Sequence, residues 1–328
     1  MSESTPILSA TTLHKRFKVA APKASGAVLI ALDGVTLDLR RGETLGIAGE
    51  SGCGKSTLGK ILAGLMKPDS GSVQYDGTPL ESLPPDAYRQ FRRTTQMVFQ
   101  DPFSSLNPRM RIADVIAEPL LLAGLGADEA RIRVTQLLET VGLPPESAQR
   151  FPDEFSGGQR QRIGIARSLA ASPQLVIADE PVSSLDISIQ AQIINLLQEM
   201  KRDFNLSLVI ISHNLSVLRH MCDRIAIMYL GIIVEQAAAP ALFRQCRHPY
   251  TEALLAAIPS LDVDAPKPPI LLHDDLPSPL SLPSGCRFHP RCRYAEERCR
   301  AEIPPLSEVA PGHFSACHFA ARLFPDQP

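Results

Sequence analysis

The sequence predicts an α/β fold with a mostly parallel sheet, and three observations carry that prediction. Apolar runs of strand length occur at Thr44–Ala48, Leu175–Ala178 and Ser207–Ile211. Segments with helical periodicity, Lys55–Met66, Gln159–Ala171 and Ile187–Phe204, alternate with them. The first strand also runs into a glycine-rich turn that opens directly into a helix. Continuous apolar strands alternating with helices are the pattern of strands covered on both faces.

Before Gly42 the pattern is different. Short alternating segments such as Thr36–Leu39 suit half-buried antiparallel strands, and Ala21–Gly26 reads as a polar loop. Residues from about Pro102 to Phe155 read as helices, including Asp128–Val141, closed by Gly142 and two prolines. After Ile258 proline becomes dense (Pro259, Pro266, Pro268, Pro269, Pro277, Pro279, Pro283) and long periodic helices stop. The expected division is one domain over residues 1–258, with a helical subdomain at about 102–158, and a proline-rich extension over 259–328.

The chain has 328 residues, 44% hydrophobic and 21% charged, enough for a sizeable core plus an appendage. A net charge of −2 argues against a nucleic-acid partner, because phosphate binding leaves a basic footprint. No stretch approaches the roughly 18–20 unbroken apolar residues that span a bilayer. Leu120–Gly126 and Ile225–Val234 are too short, and Met1 to Phe17 has no apolar core behind a basic start, so no secretory signal is read there. A cytosolic protein is expected, with any membrane role exercised through partners.

The strongest local pattern is Gly49-Glu50-Ser51-Gly52-Cys53-Gly54-Lys55-Ser56-Thr57 between a strand and a helix. This is a phosphate loop: glycines let successive backbone N–H groups face one anion, and the helix N-terminus adds partial positive charge. Lys55 is expected to reach the β- and γ-phosphates of ATP, and the Ser56 hydroxyl to ligate Mg²⁺. Cys53 is read as a small residue at a permissive position rather than as a redox thiol. Downstream, the strand Leu175–Ala178 ends in Asp179 and Glu180. Asp179 is expected to hold magnesium and Glu180 to polarise the attacking water. A second anion-binding helix start follows Phe155, at Ser156-Gly157-Gly158-Gln159.

With two such helix starts about a hundred residues apart, the sequence resembles the ABC ATPase family over roughly Leu8 to Gln245. The resemblance implies a RecA-like core with an antiparallel β-subdomain and a helical subdomain. It identifies Ser156–Gln159 as the signature that closes on a partner's ATP, although Phe155 stands where the signature normally begins with Leu. Gln100 matches the Q-loop glutamine, a magnesium ligand in the family. Ser183-Ser184-Leu185-Asp186 matches the D-loop, His213 the switch histidine, and Phe17 the aromatic that stacks on adenine. Asn214 replaces the Asp that often follows the switch histidine.

Arg247-His248-Pro249-Tyr250, Leu276 through Cys286, and Gln100 through Pro108 resemble the oligopeptide and dipeptide importer branch, nearest to the F-type ATPase subunit of dipeptide importers. Relatives with the same extension serve nickel, glutathione or other solutes. The resemblance implies a second ABC ATPase (a different chain or another copy), two permease subunits, an external substrate-binding protein, and residence at the cytoplasmic face of the membrane. A soluble ABC ATPase acting on nucleic acid or ribosomes is the other class; those usually carry two cassettes or long coiled coils, and this chain has one cassette and no sustained heptads. Cys286, Cys292, Cys299 and Cys317 cluster near the C-terminus, where reducing conditions favour metal over disulfides. Their first gaps, of five and six residues, match neither zinc knuckles nor the common ferredoxin spacing. The resemblance tips the expectation to a [4Fe–4S] cluster, with zinc as the alternative, replacing a core that the extension lacks.

Overall fold

The computed structural model describes residues 5–19, 27–101, 105–183, 185–258 and 277–325. The loop at residues 21–26, residues 102–104 after Gln100, Ser184, and the stretch 259–276 with its four prolines and Leu276 lie outside the described residues.

The order begins β1 (Leu8–Lys18), β2 (Val28–Leu39), β3 (Thr44–Ala48), α1 (Lys55–Leu62), β4 (Ser70–Tyr75), β5 (Thr78–Pro79), α2 (Pro85–Thr94) and β6 (Thr95–Val98). Three helices follow, α3 (Ile112–Leu122), α4 (Ala127–Thr140) and α5 (Gly157–Ala170). Next come β7 (Leu175–Asp179), α6 (Ile187–Phe204), β8 (Ser207–Ser212), α7 (Leu215–Met221), β9 (Arg224–Tyr229) and β10 (Ile232–Ala238). The remaining elements are α8 (Ala239–Arg244), α9 (Pro249–Ala256), α10 (Glu297–Ala301), β11 (Ser307–Ala310), β12 (His313–Ser315) and α11 (Ala320–Leu323).

Two sheets organise these elements. An antiparallel sheet runs β2-β1-β4-β5, and a larger one runs β11-β12-β10-β9-β3-β8-β7-β6. In the larger sheet β9, β3, β8, β7 and β6 are mutually parallel, whereas β10, β12 and β11 are antiparallel additions. Alternation along each strand explains why the parallel strands are apolar throughout. Leu175 and Ile177 of β7, with Val209 and Ile211 of β8, face a core completed by α1 and the small sheet. Val176, Ala178, Leu208 and Ile210 point the other way, into a core completed by α3, α4, α5 and α6.

The C-terminal segment is tied to this core rather than set beside it. β12 pairs with β10 through Glu235↔Ser315 and Gln236↔Phe314. Phe288 is buried against Tyr229, Tyr250 and His248, with ring centroids at 5.4, 5.4 and 5.8 Å. The fully buried Glu235 carboxylate accepts from the Arg247 backbone N–H and from His313 Nε2. Arg287 donates to the Leu230 carbonyl and to the Asp33 carboxylate.

These contacts correct the expectation for the four cysteines. Among the described residues no group of three or more His, Cys, Asp or Glu side chains is arranged to hold a metal ion, so neither the iron–sulfur cluster nor zinc fits Cys286, Cys292, Cys299 and Cys317. The segment draws its core from the rest of the chain: Phe288 inserts among aromatics supplied by β9 and α9, and Cys286 and Cys292 pack against the same cluster. Burial pushes the Cys286 thiol up to about 11 and Cys292 up to about 12, with neighbouring thiols adding to the effect. Cys317 is raised for the same reason. At neutral pH such groups are protonated and pack as small apolar side chains.

His248 gives this junction a pH signature. It is buried, its Nδ1 accepts from the Tyr250 N–H at 3.1 Å at the start of α9, and burial holds its pKa at about 3 instead of 6.5. A folded-state pKa below the unfolded one means stability that is complete above pH 6.5 and is lost as pH falls towards 3. The expected loss is about 1.4 kcal/mol per pH unit in that window. Urea titrations at pH 7 and pH 5 should therefore show a steeper acid destabilisation in the wild type than in His248→Gln.

Candidate functional site

β3 ends at Ala48, and the chain turns through residues 49–54 before α1 begins. Gly54 sits at the helix start with φ of 107°, and a Cβ there would lie 2.2 Å from the Ala31 carbonyl oxygen, so only glycine fits. Ser51 and Gly52 are exposed at the crest of the loop, and Thr57 is half-buried on α1. Lys55 is 5% exposed, and its Nζ donates to the carbonyl oxygens of Gly49 at 2.7 Å and Glu50 at 2.9 Å. Cys53 is buried with its thiol pKa raised by burial, which suits a packing role.

The ends of three other parallel strands meet this loop. Asp179 closes β7 and accepts a hydrogen bond from Ser56 Oγ at 3.1 Å. Its pKa is raised by burial, with the Ser56 donor opposing the shift. A part-buried hydroxyl–carboxylate pair beside a lysine is the hard oxygen donor set that magnesium takes. Glu180 follows in the left-handed region at φ 45°, an unusual conformation for a residue with a Cβ, and is tethered by its N–H to the Ile211 carbonyl at 2.9 Å. Its carboxylate collects two neighbours: Gln100 Nε2, just beyond β6, donates to Oε2 at 3.1 Å, and His213 Nδ1, just beyond β8, stands 3.2 Å from the same oxygen. Lys55, Ser56, Gln100, Asp179, Glu180 and His213 are thus brought to one edge of the sheet.

The second helix start is elsewhere. Ser156 caps α5 reciprocally: its Oγ accepts from the Gln159 N–H at 3.4 Å, and Gln159 Oε1 accepts from the Ser156 N–H at 3.0 Å. Gly158 is packed so closely that a Cβ would stand 2.5 Å from Ile189 Cγ2, and Gly157 faces Leu185. The signature therefore rests on the start of α6, where Asp186 is the N-cap. The hydrogen bonds described for it are local and do not reach Lys55. Phe17 is half-buried on β1, paired with Leu29, with Lys15 Nζ 5.7 Å from its ring.

Two neighbours of the phosphate loop were not foreseen. The Glu50 N–H donates to Tyr250 Oη at 2.9 Å, and Arg291 grips the Glu50 carboxylate with two hydrogen bonds at 2.6 and 2.9 Å. No local sequence signal points to these contacts, which join residues 200 and 241 positions apart.

Family comparison agrees with this geometry. A family model described as ABC transporter matches residues 32–183, and one described as oligopeptide/dipeptide transporter, C-terminal region, matches residues 234–299. The di/tripeptide transport ATP-binding protein DppF of Pseudomonas aeruginosa is 46% identical over 319 residues, covering 97% of this chain and 98% of that protein. The chain belongs to the ABC transporter ATP-binding proteins. Among solved structures, the ABC ATPase resembles the dimeric post-hydrolysis state of the cassette MJ0796 bound to ADP and Pi, at 29% identity and a TM-score of 0.63, over 71% of this chain and 98% of that one. It also resembles CbiO1 of Clostridium perfringens, part of an ABC transporter complex, at 28% identity and a TM-score of 0.62, over 73% and 91% of the two chains.

The crowding at Gly54 yields a direct test. Gly54→Ala drives a methyl group into the Ala31 carbonyl and disfavours the left-handed φ, so the loop must move. Equilibrium titration with ATP should show at least a tenfold weaker affinity in a variant that is otherwise folded by circular dichroism.

Proposed function

We propose that this ABC ATPase hydrolyses ATP to drive uptake of di- and oligopeptides through separate permease subunits, working at the cytoplasmic face of a membrane. The match of residues 234–299 to the oligopeptide/dipeptide region and the likeness to DppF support the solute class. No helix among the described residues is long and apolar enough to cross a membrane, in keeping with a peripheral subunit.

The observation that carries the mechanism is that the two anion-binding helix starts are built on different elements of one chain, one after β3 and the other packed on the start of α6. Among the described residues, only the first has a lysine, a hydroxyl and two carboxylates beside it. A complete site is then made when the Ser156–Gln159 helix start of a second cassette closes over the nucleotide held at Lys55. Ile187, 85% exposed beside the D-loop, belongs to the surface that such a partner covers. The second cassette is either another copy or a different ATPase, and an external binding protein delivers the solute.

Lys55 releases the carbonyls of Gly49 and Glu50 and donates to the β- and γ-phosphates instead, supported by the loop N–H groups and the α1 N-terminus. Phe17 offers a ring to the adenine. Magnesium, when held by Ser56, Asp179 and Gln100, neutralises charge on the phosphate oxygens. Glu180 accepts the proton of the attacking water, and His213, on the same carboxylate oxygen, orients it and responds to the γ-phosphate. Gln100 couples this event to the surface. The preceding residue, Phe99, lines a cleft of about 190 Å³ between β6 and α5, together with Gln96, Ser105, Gln161 and Arg167, which we assign to a permease loop.

Glu180→Gln tests the reading. The amide keeps size and hydrogen bonding but cannot take a proton, so turnover should fall by roughly 10²–10⁴-fold while ATP binding persists and closed dimers accumulate. Wild-type turnover in that variant would remove Glu180 from the chemistry.

A further inference from the structure

The phosphate loop carries a carboxylate of its own. Glu50 lies between Gly49 and Ser51, its backbone carbonyl accepts from Lys55 Nζ, and its side chain is partly buried. A negative charge in a loop whose task is to receive a polyphosphate opposes that task, and at low dielectric the opposition is large. The charge is countered from far along the chain. Arg291, whose side chain is 5% exposed, forms a two-pronged pair with Glu50, the planar geometry that guanidinium and carboxylate share. Tyr250 fixes the same residue from its backbone side. The segment carrying Arg291 is itself anchored beside the loop: Arg287 donates to the Leu230 carbonyl, and the adjacent Gly231 N–H donates to the Cys53 carbonyl at 2.9 Å.

We propose that Arg291 is a positioning residue for ATP, by which the C-terminal segment neutralises Glu50 and makes the phosphate loop receptive to polyphosphate. The C-terminal segment thereby becomes part of the nucleotide site's electrostatics and not only a cap on the sheet. Loss of Arg291 leaves the Glu50 carboxylate unpaired next to the incoming phosphates, so affinity drops through repulsion, and removing the Glu50 charge as well relieves it. A role limited to holding the C-terminal segment in place makes the opposite prediction for the double variant, since deleting the second partner cannot restore a lost anchor.

The inference rests on ATP binding at Lys55, and the test separates the two. ATP affinity of the full chain is measured by equilibrium titration for wild type, Lys55→Ala, Arg291→Met, and Arg291→Met combined with Glu50→Gln. Arg291→Met should weaken ATP binding about tenfold at low salt, less at high salt, and the double variant should return to within about threefold of wild type. An Arg291→Met chain with unchanged affinity, or a double variant as weak as the single one, overturns the inference. If Arg291→Met fails to fold, the double variant alone decides: within threefold of wild type supports neutralisation, and tenfold weaker contradicts it. A wild-type chain that binds no better than Lys55→Ala would instead sink the nucleotide reading itself.

Discussion

Parallel pairing of β6 with β7, β7 with β8 and β8 with β3 makes four strands end at one edge of the sheet, and each of the four contributes its next few residues to the same place. Gln100 follows β6, Asp179 terminates β7 and Glu180 follows it, His213 follows β8, and the loop to Lys55 follows β3. A ligand crevice at the carboxyl ends of parallel strands is a general consequence of this topology. The chemistry also needs those strand ends to be immobile, and the two opposing apolar cores clamp the sheet between them. At the edge itself Glu180 adopts a left-handed φ that its N–H bond to Ile211 holds in place.

The antiparallel flank of the sheet serves a second purpose. β10 would be an open edge without β12 and β11, and an exposed edge invites unwanted pairing. Covering it brings the C-terminal segment close to β9 and α9, where Phe288, Tyr229, Tyr250 and His248 form one aromatic group. From that anchorage Arg291 reaches the phosphate loop. The strands that cover the edge, the aromatic anchor Phe288 and the arginine that pairs with Glu50 thus lie on one C-terminal segment.

Legibility in the sequence followed the range of the interactions. The helix at Ile187–Phe204 was readable to its ends, because an amphipathic stripe is written within one segment. The glycine-rich turn before α1 and the strand ending at Asp179 were likewise marked by local residues. The helix expected over Lys55–Met66 stops at Leu62, since Gly64 turns back with φ of 65° against the Phe91 ring, a residue supplied by α2. The metal expected at the four cysteines failed on the same ground. Proline density and few local apolar runs suggested a segment without a core, but its core comes from Tyr229 and Tyr250, outside it. Arg291 and Tyr250 beside Glu50 were invisible because nothing local marks a contact spanning more than half the chain.

The central claim is that this edge is a hydrolytic site completed only by a second cassette. ATP turnover per chain, followed as phosphate release while the chain is diluted in the presence of saturating Mg²⁺-ATP, tests that claim most directly. Turnover per chain should fall steeply on dilution as cassettes separate, and recover when concentrated chain or a partner ATPase subunit is added back. A rate per chain that stays constant across dilution, with the protein monomeric throughout, would contradict it.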